Sequence, residues 1–223
     1  MSKALVIFSG GQDSTTCLFW ARERYDQVLA LTFDYNQRHR REIESARQIA
    51  ARAGVVHELL NLGAIFAGIS PLTNDKESVE QYESSADLPG GLEKTFVPGR
   101  NILFLCVAAN RAYVLGCDDV IIGVSEEDFG GYPDCRLDFI KKMESALAAG
   151  LDRQLNLVTP LIALNKRKTV ELAMSLPGCM EALSFSTTCY NGTMPPCGSC
   201  HSCLLRQKGF AEAGVNDPLL AKV

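Results

Sequence analysis

The stretch Ala4-Leu5-Val6-Ile7-Phe8-Ser9-Gly10-Gly11-Gln12-Asp13-Ser14-Thr15-Thr16-Cys17-Leu18 decides how this chain is read. Its apolar opening shows no alternation, the pattern of a strand covered on both faces in a parallel sheet. Gly10 and Gly11 permit a tight turn and a close backbone approach to a ligand. Asp13 or Ser14 is a candidate cap for the helix that follows. A glycine turn between a buried strand and a helix N-terminus gathers backbone N–H groups and the positive end of the dipole, which suits phosphate. The hydroxyls of Ser9, Ser14, Thr15 and Thr16 add donors. The stretch lacks the lysine of GxxxxGK[ST] and matches neither GxGxxG nor GxSxG.

Outward from it, the pattern predicts a helix over 14–24, a buried strand over 28–33 ending at Asp34-Tyr35-Asn36, and a polar helix over 37–52 stopped by Gly54. A third strand follows at 55–60, and later strands at 120–124 and 156–159. Strands alternating with helices at this spacing imply right-handed crossovers and an α/β fold, a Rossmann-like parallel sheet flanked by helices. Ligands in such sheets sit beyond the carboxyl ends of the strands, where both the Gly10–Gly11 and Asp34–Asn36 turns fall. Residues 70–95 interrupt the pattern with turn formers and few large apolar residues, and read as a surface insertion, either a lid or a plain solvated loop. The helix predicted over 101–115 is apolar nearly all round, so either its own core or a second subunit covers it, and a homodimer is the expectation. A polar loop over 125–136, a helix to about residue 149 and a helix within 161–174 complete a nucleotide-binding unit, 1–180, ahead of a C-terminal segment, 181–223.

With 223 residues, 47% of them hydrophobic, the chain can build one sizeable core. Its net charge of −4 argues against a broad nucleic-acid surface, so no nucleic-acid partner is expected. No apolar run reaches the roughly 18 residues of a membrane span, and the N-terminus enters a strand directly instead of showing a signal peptide. No membrane association is expected, and a cytoplasmic location follows. Nine cysteines in a reducing compartment stay free, and clustered ones point to metal.

Such a cluster exists: Cys189, Cys197, Cys200 and Cys203 stand in C-x7-C-x2-C-x2-C among Gly192, Pro195, Pro196 and Gly198. Two-residue gaps let neighbouring thiolates face one ion, and four thiolates suit tetrahedral Zn²⁺ in a closed, structural site. An iron–sulfur cluster is the serious alternative, weakened by the absence of a Cys-Pro after a three-residue gap. His201, inside the cluster, reads as a solvated residue, since four cysteines suffice. Cys17, Cys106, Cys117, Cys135 and Cys179 read as small packing residues.

The segment Ser9-Gly10-Gly11-Gln12-Asp13-Ser14 resembles the SGGxDS pyrophosphate loop of the ATP pyrophosphatase, or PP-loop, superfamily, which implies an adenine nucleotide α-hydrolase-like fold. From end to end the chain resembles the 7-cyano-7-deazaguanine synthases of queuosine biosynthesis. The resemblance runs through Phe8 to Leu18, Leu31 to Arg40, Val97-Pro98-Gly99-Arg100-Asn101, Gly131 to Arg136, Thr159-Pro160-Leu161, Lys166 and the four cysteines. Asn36 stands where the family usually has glycine, and Ser186-Thr187-Thr188 where it usually has a tryptophan. What the resemblance implies is a ligase using ATP, with Mg²⁺ bridging the pyrophosphate, to adenylate 7-carboxy-7-deazaguanine. Ammonia then gives the amide, and a second adenylation allows dehydration to the nitrile. The implied ATP-binding residues are Phe8, Ser9, Gly10, Gly11, Gln12, Asp13, Ser14, Thr15, Thr16, Cys17 and Leu18. Ser9, Asp13, Ser14, Arg100 and Lys166 are the implied catalytic residues. Asp13 is a magnesium contact or a helix cap, and Arg100 and Lys166 neutralise phosphate or carboxylate, unless they are surface cations. Arg100, Asn101, Tyr132, Asp134 and Arg136 are the implied substrate contacts, with Asp134 accepting from the aminopyrimidine edge and Tyr132 stacking on the base or closing a turn. His39 lines the nucleotide site or, on the commoner pattern, opens a solvated basic helix.

Two rivals share parts of the pattern. A PP-loop tRNA sulfur-transfer enzyme would join the loop to an iron–sulfur cluster or catalytic cysteine pair and a basic RNA-binding face, which the acidic balance disfavours. A non-enzymatic zinc-knuckle module would gather basic and aromatic residues beside the cysteines, but only Tyr190, Arg206 and Lys208 are near. No glutaminase nucleophile paired with a base is evident, so free ammonia is the expected nitrogen source.

Overall fold

The strands built from these apolar runs form one parallel five-stranded sheet. The structure is a computed structural model describing residues 1–66, 68, 70–126 and 131–222; the part of the polar loop predicted over 127–130 lies outside them. The strands are β1 (Lys3–Ile7), β2 (Gln27–Asp34), β3 (Val56–Asn61), β4 (Asp119–Ile121) and β5 (Asn156–Val158), in the order β3-β2-β1-β4-β5. Leu5 of β1 pairs with Leu29 of β2 on one side and Val120 of β4 on the other. The helices are α1 (Gln12–Arg22), α2 (Arg41–Ala53), α3 (Arg100–Leu115), α4 (Leu137–Leu151), α5 (Lys166–Ser175), α6 (Cys179–Leu183) and α7 (His201–Glu212).

Helices cover both faces, which is why β1 is apolar from Ala4 to Ile7. Ala4, Val6 and Phe8 point into a core shared with Leu18 of α1, Ile49 of α2, Val170 of α5 and Leu183 of α6. Leu5 and Ile7 point the other way, into a core shared with Leu105 and Ala108 of α3 and Ile140 of α4. The order reverses between β1 and β4, and a crevice opens beyond their carboxyl ends, the usual ligand position in a doubly wound sheet.

Helices α6 and α7 add to the elements read from the sequence, and the structure specifies three segments further. Helix α2 starts at Arg41, not residue 37, because 37–40 is held as a turn. Arg38 donates its backbone N–H to Leu72 O at 2.8 Å and its guanidinium to the carbonyls of Pro71, Asn74 and Glu77. The 70–95 segment is therefore anchored, and its Leu72 and Val79 are buried against Val97 and the cysteine segment. Helix α3 has one buried face (Phe104, Leu105, Ala108, Ala109, Ala112), while Ile102, Cys106, Tyr113 and Val114 are exposed. Cys106 is thus not a packing residue, unlike the buried Cys17, Cys117, Cys135 and Cys179. Among the described residues no helix is long and apolar enough to cross a membrane.

One contact sets the loop after β1. Gly10 has φ +83°, and a Cβ there would lie 2.5 Å from Ala46 N and 2.6 Å from Glu42 O in the first turns of α2. No side chain fits between the loop and that helix. Gly10→Ala combines a left-handed backbone with an overpacked contact, so it should lower stability by about 2–6 kcal/mol. Denaturant unfolding of the purified variant checks this, and an unchanged midpoint would contradict it.

Candidate active site

The loop is tied by its own hydroxyls. Ser9 N–H donates to Ser14 Oγ at 3.2 Å, Gly11 N–H donates to Ser9 Oγ at 3.2 Å, and Ser14 Oγ donates to Gly11 O at 3.3 Å. Gly11 is the N-cap of α1 and caps without a side-chain bond, so neither Asp13 nor Ser14 is the cap. Ser14 instead braces the turn, and Asp13 pairs with Lys166, whose Nζ lies 2.7 and 2.9 Å from its carboxylate oxygens. Lys166 opens α5, where Asn165 caps by accepting from Lys168 N–H at 3.0 Å. The first amides of α1 have no intrahelical partner and stand where an anion would meet them.

A cavity of about 280 Å³ lies over this loop. Its floor is Ser9, Gly11, Gln12, Asp13 and Ser14, and its apolar wall is Leu31, Phe33, Phe104 and Ile122. Arg100, Asn101, Tyr132 and Lys166 line it as well, so the structure brings most of the residues singled out from the sequence into one space. Asp134 and Arg136 are not among the residues lining it, although Asp134 lies close enough to Arg100 for their charges to act on each other. The Asp134 carboxylate accepts from Asn101 N–H at 3.4 Å at the start of α3, and Arg136 is exposed outside the lining. Gly10, Thr15, Thr16, Cys17 and Leu18 are buried behind the loop and do not line the cavity.

Further residues complete the wall. Tyr35, Glu42, Thr187, Thr188 and Tyr190 line it, as do His39 and His201. His39 is buried, not solvated, because the turn ahead of α2 folds it inward. His201 is buried as well, with Nδ1 in contact with Glu93, whose other carboxylate oxygen accepts from Thr95 Oγ1. Thr95 Oγ1 in turn bonds the Tyr132 hydroxyl at 2.6 Å. The sequence signals His39 through one of its two readings, and Tyr35 lies within the Leu31 to Arg40 stretch that carries the family resemblance; Glu42, Thr187, Thr188, Tyr190 and His201 carry no signal for this cavity.

Burial governs their electrostatics. It raises the Tyr35 phenol to about 12 and those of Tyr132 and Tyr190 upward too, so three protonated hydroxyls surround Arg100. Burial lowers His39 to about 3, with Arg100 adding to it, so the imidazole is neutral. Burial raises Glu42 to about 7 although Gln37 and Arg100 oppose the shift. The 3.4 Å contact between His39 Nε2 and Glu42 Oε1 therefore joins a neutral ring to a carboxyl, and is not an ion pair.

The C-terminal segment supplies both a cluster and part of this wall. The sulfurs of Cys189, Cys197, Cys200 and Cys203 all lie within 4.8 Å of one another, a group that can hold a metal ion. Cys197 and Cys203 Sγ are 3.9 Å apart, close to the roughly 3.8 Å edge expected of a tetrahedron with about 2.3 Å metal–sulfur bonds. The N–H groups of Cys197 and Cys200 donate to the sulfurs of Cys189 and Cys197. Tyr190, His201, Ser202 and Leu205 reach from the same segment into the cavity.

A parallel sheet with a glycine-rich anion loop at its switch point, faced by lysine and arginine across one cavity, defines a PP-loop α/β enzyme. A family model described as queuosine biosynthesis protein QueC matches residues 3–214. A 7-cyano-7-deazaguanine synthase of Gloeobacter violaceus is 52% identical over 98% of this chain and 96% of its own length. Those of Chromobacterium violaceum and Laribacter hongkongensis are 51% and 48% identical, each over 99% of this chain and 94% and 95% of their own. The chain belongs to the QueC family of queuosine biosynthesis proteins. In fold it is similar to a predicted subunit of a tRNA methyltransferase from Methanocaldococcus jannaschii, at 16% identity and TM-score 0.50, over 78% of this chain and 75% of that one.

Two outcomes follow from this geometry. Cys200→Ser should lose stoichiometric metal and, with the Tyr190–Leu205 wall released, most soluble protein; a soluble, metal-loaded variant would contradict the stapling. Glu42 carries a pH signature. Its carboxyl has a pKa of about 7 folded against about 4.5 in the ordinary state, so its share of stability is present below pH 4.5 and is lost as pH rises through 7. His39 has the opposite sign, losing stability as pH falls from 6.5 toward 3. Unliganded Glu42→Gln should therefore gain about 3 kcal/mol on the wild type between pH 5 and pH 8. Parallel denaturation curves across that range would refute it.

Proposed function

We propose that this chain is an ATP-dependent carbon–nitrogen ligase that converts 7-carboxy-7-deazaguanine and ammonia to 7-cyano-7-deazaguanine in queuosine biosynthesis. The observation that carries the reading is the shared cavity: the Ser9–Ser14 loop opening α1 faces Arg100 and Lys166 across one space at the sheet's switch point. A carboxylate oxygen is a poor leaving group, and attachment of AMP makes it a good one. The carboxylate attacks the α-phosphorus and pyrophosphate departs. Ammonia then displaces AMP to give the amide. The amide oxygen is adenylated in turn, and loss of AMP and a proton leaves the nitrile. The α1 amides and Lys166 hold the negative charge that builds on the departing pyrophosphate, the kind of preorganised stabilisation that dominates such steps. Arg100, inside its ring of tyrosines, meets the substrate carboxylate, and Asn101 and Tyr132 position the ring beside it.

Bound Mg²⁺ supplies further neutralisation of pyrophosphate, and Asp13 is the loop residue that would hold it. Zn²⁺ is the ion we assign to the four cysteines, since four sulfurs within 4.8 Å of one another would fill a tetrahedral ion and leave no open position for catalysis. The exposed apolar side chains of α3, Ile102, Tyr113 and Val114, support a homodimer through that helix. The partners are small molecules, with no nucleic acid or membrane, in the cytoplasm. Residues 1–180 form the nucleotide-binding unit and 181–223 the metal-stapled segment.

Incubation with ATP, ammonium and 7-carboxy-7-deazaguanine should yield the nitrile by mass, with AMP and pyrophosphate released together. Asp13→Ala and Lys166→Ala should each lower AMP release about 10²- to 10³-fold without unfolding the protein. Release of ADP alone, or full turnover by both variants, would defeat the reading.

A further inference from the structure

A 7-deazaguanine ring presents a 2-aminopyrimidinone edge, in which a ring N–H and an exocyclic amino group stand side by side as donors. An ionised carboxylate is the strongest side-chain acceptor for such donors. The residue expected from the sequence to do so, Asp134, is turned to the α3 terminus and lies outside the cavity lining. Among the described lining residues there are two carboxylates, Asp13 and Glu42. Asp13 is engaged by Lys166.

Glu42 is nine-tenths buried, at 9% exposure. Gln37 Nε2 donates to its Oε1 at 2.9 Å, and His39 Nε2 stands 3.4 Å from the same oxygen. Gln37 is fixed in turn, since its Nε2 also donates to Phe33 O and its Oε1 accepts from Tyr35 N–H. Both contacts to Glu42 use Oε1, which leaves Oε2 to face a ligand. The surrounding wall asks for one: His39 Nδ1, Gln12 Nε2 and Thr188 Oγ1 are buried without a hydrogen-bond partner among the described residues, on residues that line this cavity. Buried polar atoms are nearly always satisfied, so orphans gathered on a cavity wall mark where a polar ligand completes them. The ring of Tyr190, 6.1 Å from that of His39, supplies an aromatic face beside the same spot.

We propose that Glu42 reads the aminopyrimidinone edge of the substrate, its Oε2 accepting from the exocyclic amino group while Gln37 and His39 hold its orientation through Oε1. The inference rests on the function proposed above and names the residue that selects the substrate's heterocycle. A carboxyl that burial makes costly near neutrality is retained because the ligand repays its ionised form.

The test is calorimetric titration of the full chain with 7-carboxy-7-deazaguanine, and with its analogue lacking the 2-amino group, in the presence of the α,β-methylene analogue of ATP. Wild type should bind the acid and bind the analogue about 10- to 100-fold more weakly, the loss of hydrogen bonding to a charged group. Glu42→Gln, isosteric and able to keep the Gln37 contact, should weaken binding of the acid by a similar factor. It should also reduce discrimination between the two ligands to about 2-fold, while the KM for ATP stays within about 2-fold of wild type. Wild type that binds both ligands equally overturns the inference without any variant. A variant that keeps full discrimination overturns it too. A rise in the KM for ATP alone would place the adenine at Glu42 and overturn it as well. Each of these leaves the proposed function standing, whereas failure of wild type to bind the acid defeats that function and the inference together.

Discussion

The contact between Gly10 and the first turns of α2 is the constraint from which the site follows. It brings the loop after β1 against Glu42 O and Ala46 N with no room for a Cβ, and Thr187 N–H bonds Gly10 O at 3.1 Å from the other side. Three pieces of chain far apart in sequence meet at one glycine: the phosphate-type loop, the helix carrying Glu42, and the segment leading to the cysteines. Ser45 Oγ and Thr187 Oγ1, 2.8 Å apart, close the same junction. A parallel sheet alone places a crevice over β1; this junction gives the crevice its polar wall.

The cysteine cluster belongs to the same arrangement. The sulfurs hold Tyr190, His201 and Leu205 in the cavity wall, and His201 reaches Glu93, from which a chain of hydrogen bonds runs through Thr95 to Tyr132. Residues 70–95 lie across this joint, with Leu72 and Val79 packed on the cysteine segment and Tyr82 N–H bonded to Ser199 O at 2.8 Å. A metal at the cluster would thus fix the far wall of the cavity without touching substrate. That accounts for a closed, four-sulfur site in an enzyme whose chemistry is phosphoryl and acyl transfer.

What could be read from the sequence was local. The apolar run before Gly10, the glycine turn and the cysteine spacing each carry their meaning within some fifteen residues, and the expected sheet and cluster are both present. What escaped was set by distant partners. The pattern at 37–52 is continuous enough for one helix, yet Arg38 is claimed by carbonyls more than thirty residues away, so α2 starts late and His39 turns inward. His201 sits beside cysteines that need no fifth ligand, and nothing near it in sequence announces Glu93, 108 positions earlier. Asp134 has the right chemistry for a base edge, but its neighbour in space is the N-terminus of α3, where an acceptor for Asn101 N–H was needed more. Asn36 does follow from local rules: φ there is +61°, a conformation asparagine tolerates where glycine is usual.

The electrostatics of the cavity complete the picture. Arg100, Glu42 and His39 occupy one low-dielectric space, and their preferences oppose one another: Arg100 helps keep His39 neutral, while it draws Glu42 toward ionisation against the pull of burial. Three tyrosines held protonated around Arg100 donate and stack but bring no negative charge to neutralise it. A buried guanidinium ringed by protonated tyrosines, with Asp134 and Glu42 as its acidic neighbours, beside orphaned polar atoms is a poor way to build a stable core and a good way to build a receptor for an anionic heterocycle. The acid function of such a ligand would answer Arg100, and its polar edge the atoms left unpaired on the cavity wall. The fold bears that strain because two large apolar cores, one on each face of the sheet, and the cysteine segment stabilise the frame around it.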